Sequence, residues 1–305
     1  MRRFTRILCL LLISANAFGQ MIPVTSHYVL NPLTINPAYA GNRGVMNIAA
    51  FYRNQWVGIS GAPTTMSLAM DAPFMEDKLG LGLVIINDRI DVTKETQFNT
   101  NYAYKISLDE GILSLGLGAA VITTNTAWSD LVVIDPGDDY YLIDSRVFVV
   151  PNFSFGAYYS TREFFAGLSI PKLLGHKFDF DKNRYTIKHD INEYYFLLNA
   201  GYLFDMSKNL KFMPSALVAF SPRDKLLYDI NAHFRVYDRF WAGLSYRNNR
   251  SLTGMFQFQV SDQLKFAYTY DFDFNKLRTF SSGSHEIMLR YEFRYKVEAI
   301  SPLNF

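Results

Sequence analysis

The alternation between Gln263 and Lys296 limits what this chain can fold into more than any other feature. At Leu264, Phe266, Tyr268, Tyr270, Phe272 and Phe274 every even position is apolar and most are aromatic. Between them, Lys265, Ala267, Thr269, Asp271 and Asp273 are small, polar or charged. After a loop the rhythm returns on odd numbers, with Ile287, Leu289, Tyr291, Phe293 and Tyr295 set against Met288, Arg290, Glu292, Arg294 and Lys296. Successive side chains on a strand point to opposite faces, so each half of this hairpin has one apolar face and one charged face. Strands of soluble sandwiches also alternate, but they run to about five or six residues and their apolar face is usually aliphatic. Runs of about ten residues rich in Tyr and Phe are the signature of strands that cross an outer membrane as part of a barrel.

Composition agrees with this reading. Of 305 residues, 49% are hydrophobic and 19% charged, a balance that excludes disorder. The net charge of +2 comes without a basic block, so nucleic acid is not an expected partner. The long uncharged apolar run, Ile7 to Phe18, follows Arg2, Arg3 and Arg6 and has small residues at Ala15, Ala17 and Gly19. It predicts a secretory signal peptide over residues 1–19, cleaved after Gly19. Cys9 lies inside its apolar core, ahead of where a lipid-bearing cysteine would stand, so the mature chain is expected to have neither thiol nor disulfide. No other run reaches the roughly eighteen apolar residues of a transmembrane helix. For an exported chain with this much apolar surface, a closed barrel is then the remaining way to span a bilayer.

Residues 20–44 show neither period two nor a long helix. Asn31-Pro32 and Asn36-Pro37 stand five residues apart, and each pair puts a capping residue ahead of a proline suited to a first helical position. Each therefore predicts one short turn, with Gly41 and Gly44 releasing the chain into the first strand. Further on come Tyr52-Arg53-Asn54-Gln55-Trp56-Val57-Gly58-Ile59 and Gly61-Ala62-Pro63-Thr64-Thr65. The stretches NPLTINPAYAG and YRNQWVGISGAPTT, with KLGLGLVIINDRI (78–90) and GSHEIMLRYEF (283–293), resemble the PorP/SprF family of outer-membrane proteins associated with type IX secretion and gliding. His27 and Asn42 depart from the Gln and Ser usual there. The resemblance implies a barrel in the outer membrane that assists secretion, or cell-surface attachment, of a client such as an adhesin. It also implies partners: the client's C-terminal sorting domain, periplasmic components of the secretion machinery and the lipid bilayer. Asn31, Pro32, Asn36, Pro37 and Tyr39, with Arg53, Gln55 and Trp56, are the candidate partner contacts.

The rest reads as a meander. Short turns fall near residues 76–78, 108–111, 160–163, 206–209, 237–239 and 260–263. Longer connections are expected at 88–94, 125–146, 171–190 and 275–284. Short turns belong to the periplasmic rim of such barrels and long loops to the outside. Several strands start alike, as Leu79-Gly80-Leu81-Gly82, Phe165-Ala166-Gly167-Leu168 and Trp241-Ala242-Gly243-Leu244. The fold expected is all-β: a transmembrane antiparallel barrel of about 14 strands over residues 45–296. The 20–44 segment lies at or inside its periplasmic mouth, and a tail spans 297–305. Pro151 and Pro214 predict bulges or strand ends, because a closed barrel has no edge to hide them.

No catalytic, cofactor-binding or metal-binding residue is assigned, and no cofactor is expected. His233 shares a polar face with Asp229, Asn231 and Arg235, and without a serine or cysteine motif it reads as part of a hydrogen-bonded lumen. Asp135-Pro136-Gly137-Asp138-Asp139 carries oxygen ligands suited to calcium, but without the remaining ligands of a known calcium loop it reads as a solvated acidic turn. By parity Lys105, Asp229, Arg235, Lys265, Asp271, Asp273, Arg290, Glu292 and Arg294 point inward, and mixed signs favour a salt-bridged interior. Trp241 and Trp56 suit the periplasmic and outer aromatic girdles. A passive porin is the alternative function, and a membrane-embedded hydrolase the third.

Overall fold

The computed structural model describes residues 26–130, 144–145, 147–179, 184–222, 226–248 and 251–293. The expected signal peptide, the centre of the acidic connection, Arg294 and the C-terminal tail lie outside the described residues. No helix among the described residues is long and apolar enough to cross a membrane, and the crossings are made by strands.

The first half of the wall is β1 (Met46–Asn54), β2 (Thr64–Phe74), β3 (Leu79–Ile90), β4 (Thr93–Ser107), β5 (Ile112–Thr126), β6 (Phe148–Ser160) and β7 (Phe164–Ile170). A small hairpin of β8 (Gly175–Asp179) and β9 (Arg184–Lys188) forms its own sheet in the connection that follows. The wall resumes with β10 (Phe196–Tyr202) and its continuation β11 (Phe204–Ser207), then β12 (Leu210–Phe220) and β13 (Leu227–Val236). It ends with β14 (Phe240–Arg247), β15 (Ser251–Gln259), β16 (Leu264–Asp273) and β17 (Ser284–Phe293). All pairings are antiparallel; β10 pairs with both β7 and β12, and β1 with β17, so the sheet closes on itself. Its 15 strands make 14 crossings, because β10 and β11 run on as one.

The two faces separate as period two requires. In β17, Ile287, Leu289 and Tyr291 are 42%, 50% and 38% exposed, whereas Met288, Arg290 and Glu292 are 0%, 1% and 3%. The apolar row faces lipid and the charged row faces a filled lumen. Pro214 sits where β12 meets the break between β10 and β11, so its missing N–H interrupts nothing. Pro151 is accommodated without a bulge: β6 keeps register with β5 there, while its pairing with β7 begins only at Phe155.

Three further expectations are corrected. No longer connection exists at 88–94: β3 and β4 run on to a tight turn at Asp91 and Val92, with Asp91 at φ 52°. Its charged residues look like a loop by composition, yet Asp88 pairs with Glu95 and Arg89 with Lys94 in the ladder. Polar pairs of this kind suit strand ends that project beyond the hydrocarbon into water. Trp241 is not a girdle residue either. It is 3% exposed and faces the lumen edge-on to His233 at 5.6 Å, while its neighbour Phe240 points out. Trp56 does not join the outer girdle, because its indole N–H donates to the inward carboxylate of Asp273 (3.1 Å).

Two measurements check the orientation and the phase of the wall. Cysteines at Lys276 and Phe280 should label on intact cells with an impermeant thiol reagent, and those at Asp109 and Asp238 should not; the reverse pattern would invert the topology. Leu289→Arg, on the lipid face, should lower folded stability by about 2–4 kcal/mol in detergent-to-bilayer refolding, and Leu289→Tyr should be nearly neutral.

Candidate functional site

The N-terminal segment occupies the lumen at the short-turn end. It is a chain of tight turns, Ser26–Val29, Pro32–Thr34 and Pro37–Tyr39. Both Asn-Pro pairs open a turn, but they do so differently. Asn36 caps its turn by accepting from the Ala38 N–H (2.9 Å), whereas the Asn31 side chain makes no capping bond. Asn31, Asn36, Tyr39 and the apolar residues Tyr28, Leu30 and Leu33 are all at most 3% exposed. Tyr39 meets Tyr158 of β6 edge-on at 5.3 Å.

Glycines on the wall let the backbones touch. A Cβ on Gly116 would lie 2.1 Å from the Ala38 nitrogen, and one on Gly156 would lie 2.0 Å from Asn36 Oδ1. A Cβ on Gly80 would strike the Ala40 carbonyl. The repeated small residues of the strand starts therefore have a packing reason, at Gly80 in β3 and at Gly167 beside Asn36 in β7. Over this smooth wall Asn36 Nδ2 donates to the carbonyls of Ala157 (3.0 Å) and Leu168 (3.3 Å), and Ser169 Oγ donates to the Ile35 carbonyl (2.6 Å). The Gly41 N–H donates to Asp71 Oδ2 (2.9 Å).

Charge ties the segment down further. The Leu30 carbonyl accepts from Arg43 (2.8 Å) and from Arg290 of β17 (2.5 Å), and the Gly41 carbonyl accepts from the Lys105 ammonium. Hydrogen bonds to charged groups contribute about 1.5–3 kcal/mol each. Glu292 balances part of this charge, 2.8 Å from Lys265 and 3.6 Å from Arg43.

A second constellation lies at the long-loop end. The connection after β1 folds back, with the Gln55 N–H donating to the Pro63 carbonyl (3.0 Å) and the Ile59 N–H to that of Trp56 (3.1 Å). It is clasped to the start of β17: Trp56 N–H to Ser284 Oγ (3.1 Å), Val57 N–H to the Gly283 carbonyl (2.9 Å) and Ser282 N–H to the Val57 carbonyl (2.7 Å). Below the clasp Arg53 bridges two inward carboxylates, Asp271 at 2.8 Å and Glu286 at 2.5 Å. Thr253 and Thr269 donate to the same two carboxylates, at 2.7 and 3.0 Å. Trp56 and Gln55 are half-buried, and Phe280 in the clasped loop is 72% exposed. Sequence reasoning missed Phe280 and Gly283; the φ of 92° at Gly283 marks the tight turn that the dipeptide Gly283-Ser284 makes possible.

The remaining singled-out residues are scattered. His233 is fully buried and, among the described residues, neither ring nitrogen has a hydrogen-bond partner. His285 meets the Tyr268 hydroxyl (2.6 Å) on the outer face, and His189 meets that of Tyr194 (2.7 Å). In the acidic connection only Asp130 and Asp144 are described, and Asp144 accepts the Ser129 N–H (3.0 Å) and hydroxyl (2.8 Å), which hold its carboxyl below the usual value.

A closed 14-strand wall with an aromatic lipid face and a charged, filled interior defines an outer-membrane β-barrel. The chain belongs to the type IX secretion system membrane protein family PorP/SprF, whose family model matches residues 17–291. Among solved structures, the CymD monoaromatic hydrocarbon channel is similar in fold, at 12% identity over 92% of this chain and 96% of that chain with a TM-score of 0.50. The Acinetobacter baumannii outer membrane protein Omp33 aligns at 9% identity over 82% of this chain and 98% of that chain, with a TM-score of 0.49. A Pseudomonas aeruginosa FadL homologue aligns at 14% identity over 91% and 96%, with a TM-score of 0.44. No curated protein sequence matches.

Removing the guanidinium at the mouth should be costly, because Asp271 and Glu286 would lose their shared cation. Arg53→Met is expected to destabilise the barrel by about 3–5 kcal/mol, read as a lower temperature of the heat-modifiable gel shift, with Arg53→Lys between it and the unaltered barrel.

Proposed function

We propose that this barrel assists the secretion or cell-surface attachment of a client protein such as an adhesin, engaging the client's C-terminal sorting domain, and that it does so without enzymatic activity. Membership of a secretion family supports the first part, and the membrane and components of the secretion machinery are the partners that membership implies. The observation that carries the reading is how the stretches bearing the family resemblance meet. The Ala40-Gly41 backbone lies on Gly80 at one end of the lumen, and Arg53-Trp56 is clasped to Gly283, Ser284 and Glu286 at the other. Both ends of one lumen are thus built from those stretches.

In this reading the candidate contacts divide their work. Asn31, Pro32, Asn36, Pro37 and Tyr39 act from inside, shaping the segment at the periplasmic end. Gln55, Phe280 and the exposed edge of half-buried Trp56, whose indole N–H is anchored on Asp273, form the surface offered to a client outside, and Arg53 braces that surface from below. A clasp of backbone hydrogen bonds carrying aromatic side chains is a preorganised platform, which lowers the ordering cost of binding. The passive-porin alternative is less favoured because the buried segment fills the short-turn end of the lumen.

The test pairs two readouts in cells making the double variant Trp56→Ala, Phe280→Ala. Barrel abundance in outer-membrane fractions should be unchanged. Surface display of a reporter carrying the client's sorting domain should fall by about tenfold, as expected when an aromatic hot spot is lost. Normal display with an abundant barrel would remove the mouth from the proposal.

A further inference from the structure

The last hairpin carries cations on the lipid side of its long-loop end. Phe272 and Phe274 continue the outward row of β16, while Asp271 between the two apolar neighbours Tyr270 and Phe272 is buried in the lumen. The two phenylalanine rings meet edge-on at 5.0 Å. Beyond them the chain makes the short turn Lys276–Thr279, opened by the Asn275 side chain, which accepts from the Leu277 N–H (2.8 Å). The turn brings the Arg278 guanidinium back over the outward face, 4.7 Å from the centre of the Phe272 ring. Stacking on an aromatic face suits a guanidinium and leaves its N–H donors free at the edge. The turn contains two cations and no acid, and both cations are exposed. Among the described residues neither Lys276 nor Arg278 forms an ion pair.

The groups just below give the depth of this pair in the bilayer. His285 meets the Tyr268 hydroxyl (2.6 Å) and lies 5.1 Å from the Tyr270 ring, and the Tyr270 hydroxyl donates to the Ser282 carbonyl (2.9 Å). Aromatic rings with polar tips mark the level at which hydrocarbon gives way to headgroups. A guanidinium one step above them, with its stem along a lipid-facing ring, stands at headgroup height. The ligand offered there by an outer membrane is phosphate, because its outer leaflet is built of phosphorylated glycolipid. Arg meets phosphate through two parallel charge-assisted hydrogen bonds, and a neighbouring Lys adds a point charge. Phe272, Phe274 and Leu252, the partner of Phe272 on β15, supply the apolar surface that acyl chains need.

We propose that Arg278 and Lys276 bind the phosphate of an anionic outer-leaflet lipid whose acyl chains lie along Phe272, Phe274 and Leu252. A free phosphate ion would gain nothing from the aromatic face on which Arg278 rests, so the occupant is a lipid. The site lies on the outside of the wall and does not depend on a client engaging the mouth.

The experiment titrates the purified full chain, in detergent micelles, with bisphosphorylated lipid A, with the same lipid dephosphorylated, and with inorganic phosphate. Bound lipid is counted by native mass spectrometry. The unaltered chain should bind lipid A, and the dephosphorylated lipid about tenfold more weakly, the effect of losing charge-assisted hydrogen bonds. The double variant Lys276→Gln, Arg278→Gln should weaken binding of lipid A by a similar factor, about tenfold, with an unchanged heat-modifiable gel shift. Arg278→Lys should fall between, since an ammonium lacks the planar fork. Lys208→Gln, in the short turn at the opposite rim, should change nothing. Equal binding of lipid A by the double variant, equal binding of the dephosphorylated lipid, or an equal loss with Lys208→Gln would each overturn the proposal. Displacement of lipid A by an equal concentration of inorganic phosphate would overturn the assignment to a lipid. If the double variant alters the gel shift, Arg278→Lys, which keeps charge and stem, decides the matter.

Discussion

Hydrocarbon offers no partner to a backbone N–H or carbonyl, so a sheet inside a bilayer must leave none unpaired. In this chain that requirement is met by the antiparallel joining of β1 to β17 from Met46–Phe293 to Asn54–His285, and by β10 reaching β12 as well as β7. Closure then turns a sequence alternation into an inside and an outside. Aromatic and aliphatic residues go to lipid, and every charge placed at the other parity is committed to a narrow interior. It also explains where prolines are tolerated, opposite a strand break at Pro214 and beside a one-sided stretch at Pro151.

The interior charges are met in two ways. Near the mouth they are met by other wall residues: Arg53 by Asp271 and Glu286, and Arg247 by Asp229 at 2.7 Å. Near the short-turn end they are met partly by carbonyls of the N-terminal segment. Burial of Tyr28, Val29, Leu30, Leu33, Ile35 and Tyr39 contributes about 1.5–3 kcal/mol per large side chain. That exceeds what the few directional bonds supply, about 1.5–3 kcal/mol for each one to a charged group. Apolar burial therefore keeps the segment inside, and the bonds of Asn36, Leu30 and Gly41 decide where it rests.

The two ends of the lumen are built differently. Among the described residues the short-turn end is filled by side chains and backbone packed over glycine. At the long-loop end two neighbouring loops are clasped through backbone bonds, with Trp56 held inward and Phe280 left in the open. A filled short-turn end and clasped loops at the other belong here to a membrane protein of a type IX secretion family.

The alternation from Leu264 to Phe274 is set by residue type alone, so lipid and lumen faces, the number of crossings and the inward parity of Lys265, Asp271 and Arg290 were legible in the chain. So were the turns at the two Asn-Pro pairs, because cap and proline preferences are local. Other features depended on residues far apart. Asn36 reaches the Ala157 carbonyl across 121 positions, and a glycine such as Gly116 reads as a weak strand residue until Ala38 is seen pressed against it. Trp241 and Trp56 look like interface residues by type and position, and only the closed wall turns the first toward His233 and the second toward Asp273. Local chemistry determined the strands, their faces and the short turns. Closure in three dimensions decided what filled the lumen, since that depends on which side chains converge from opposite walls.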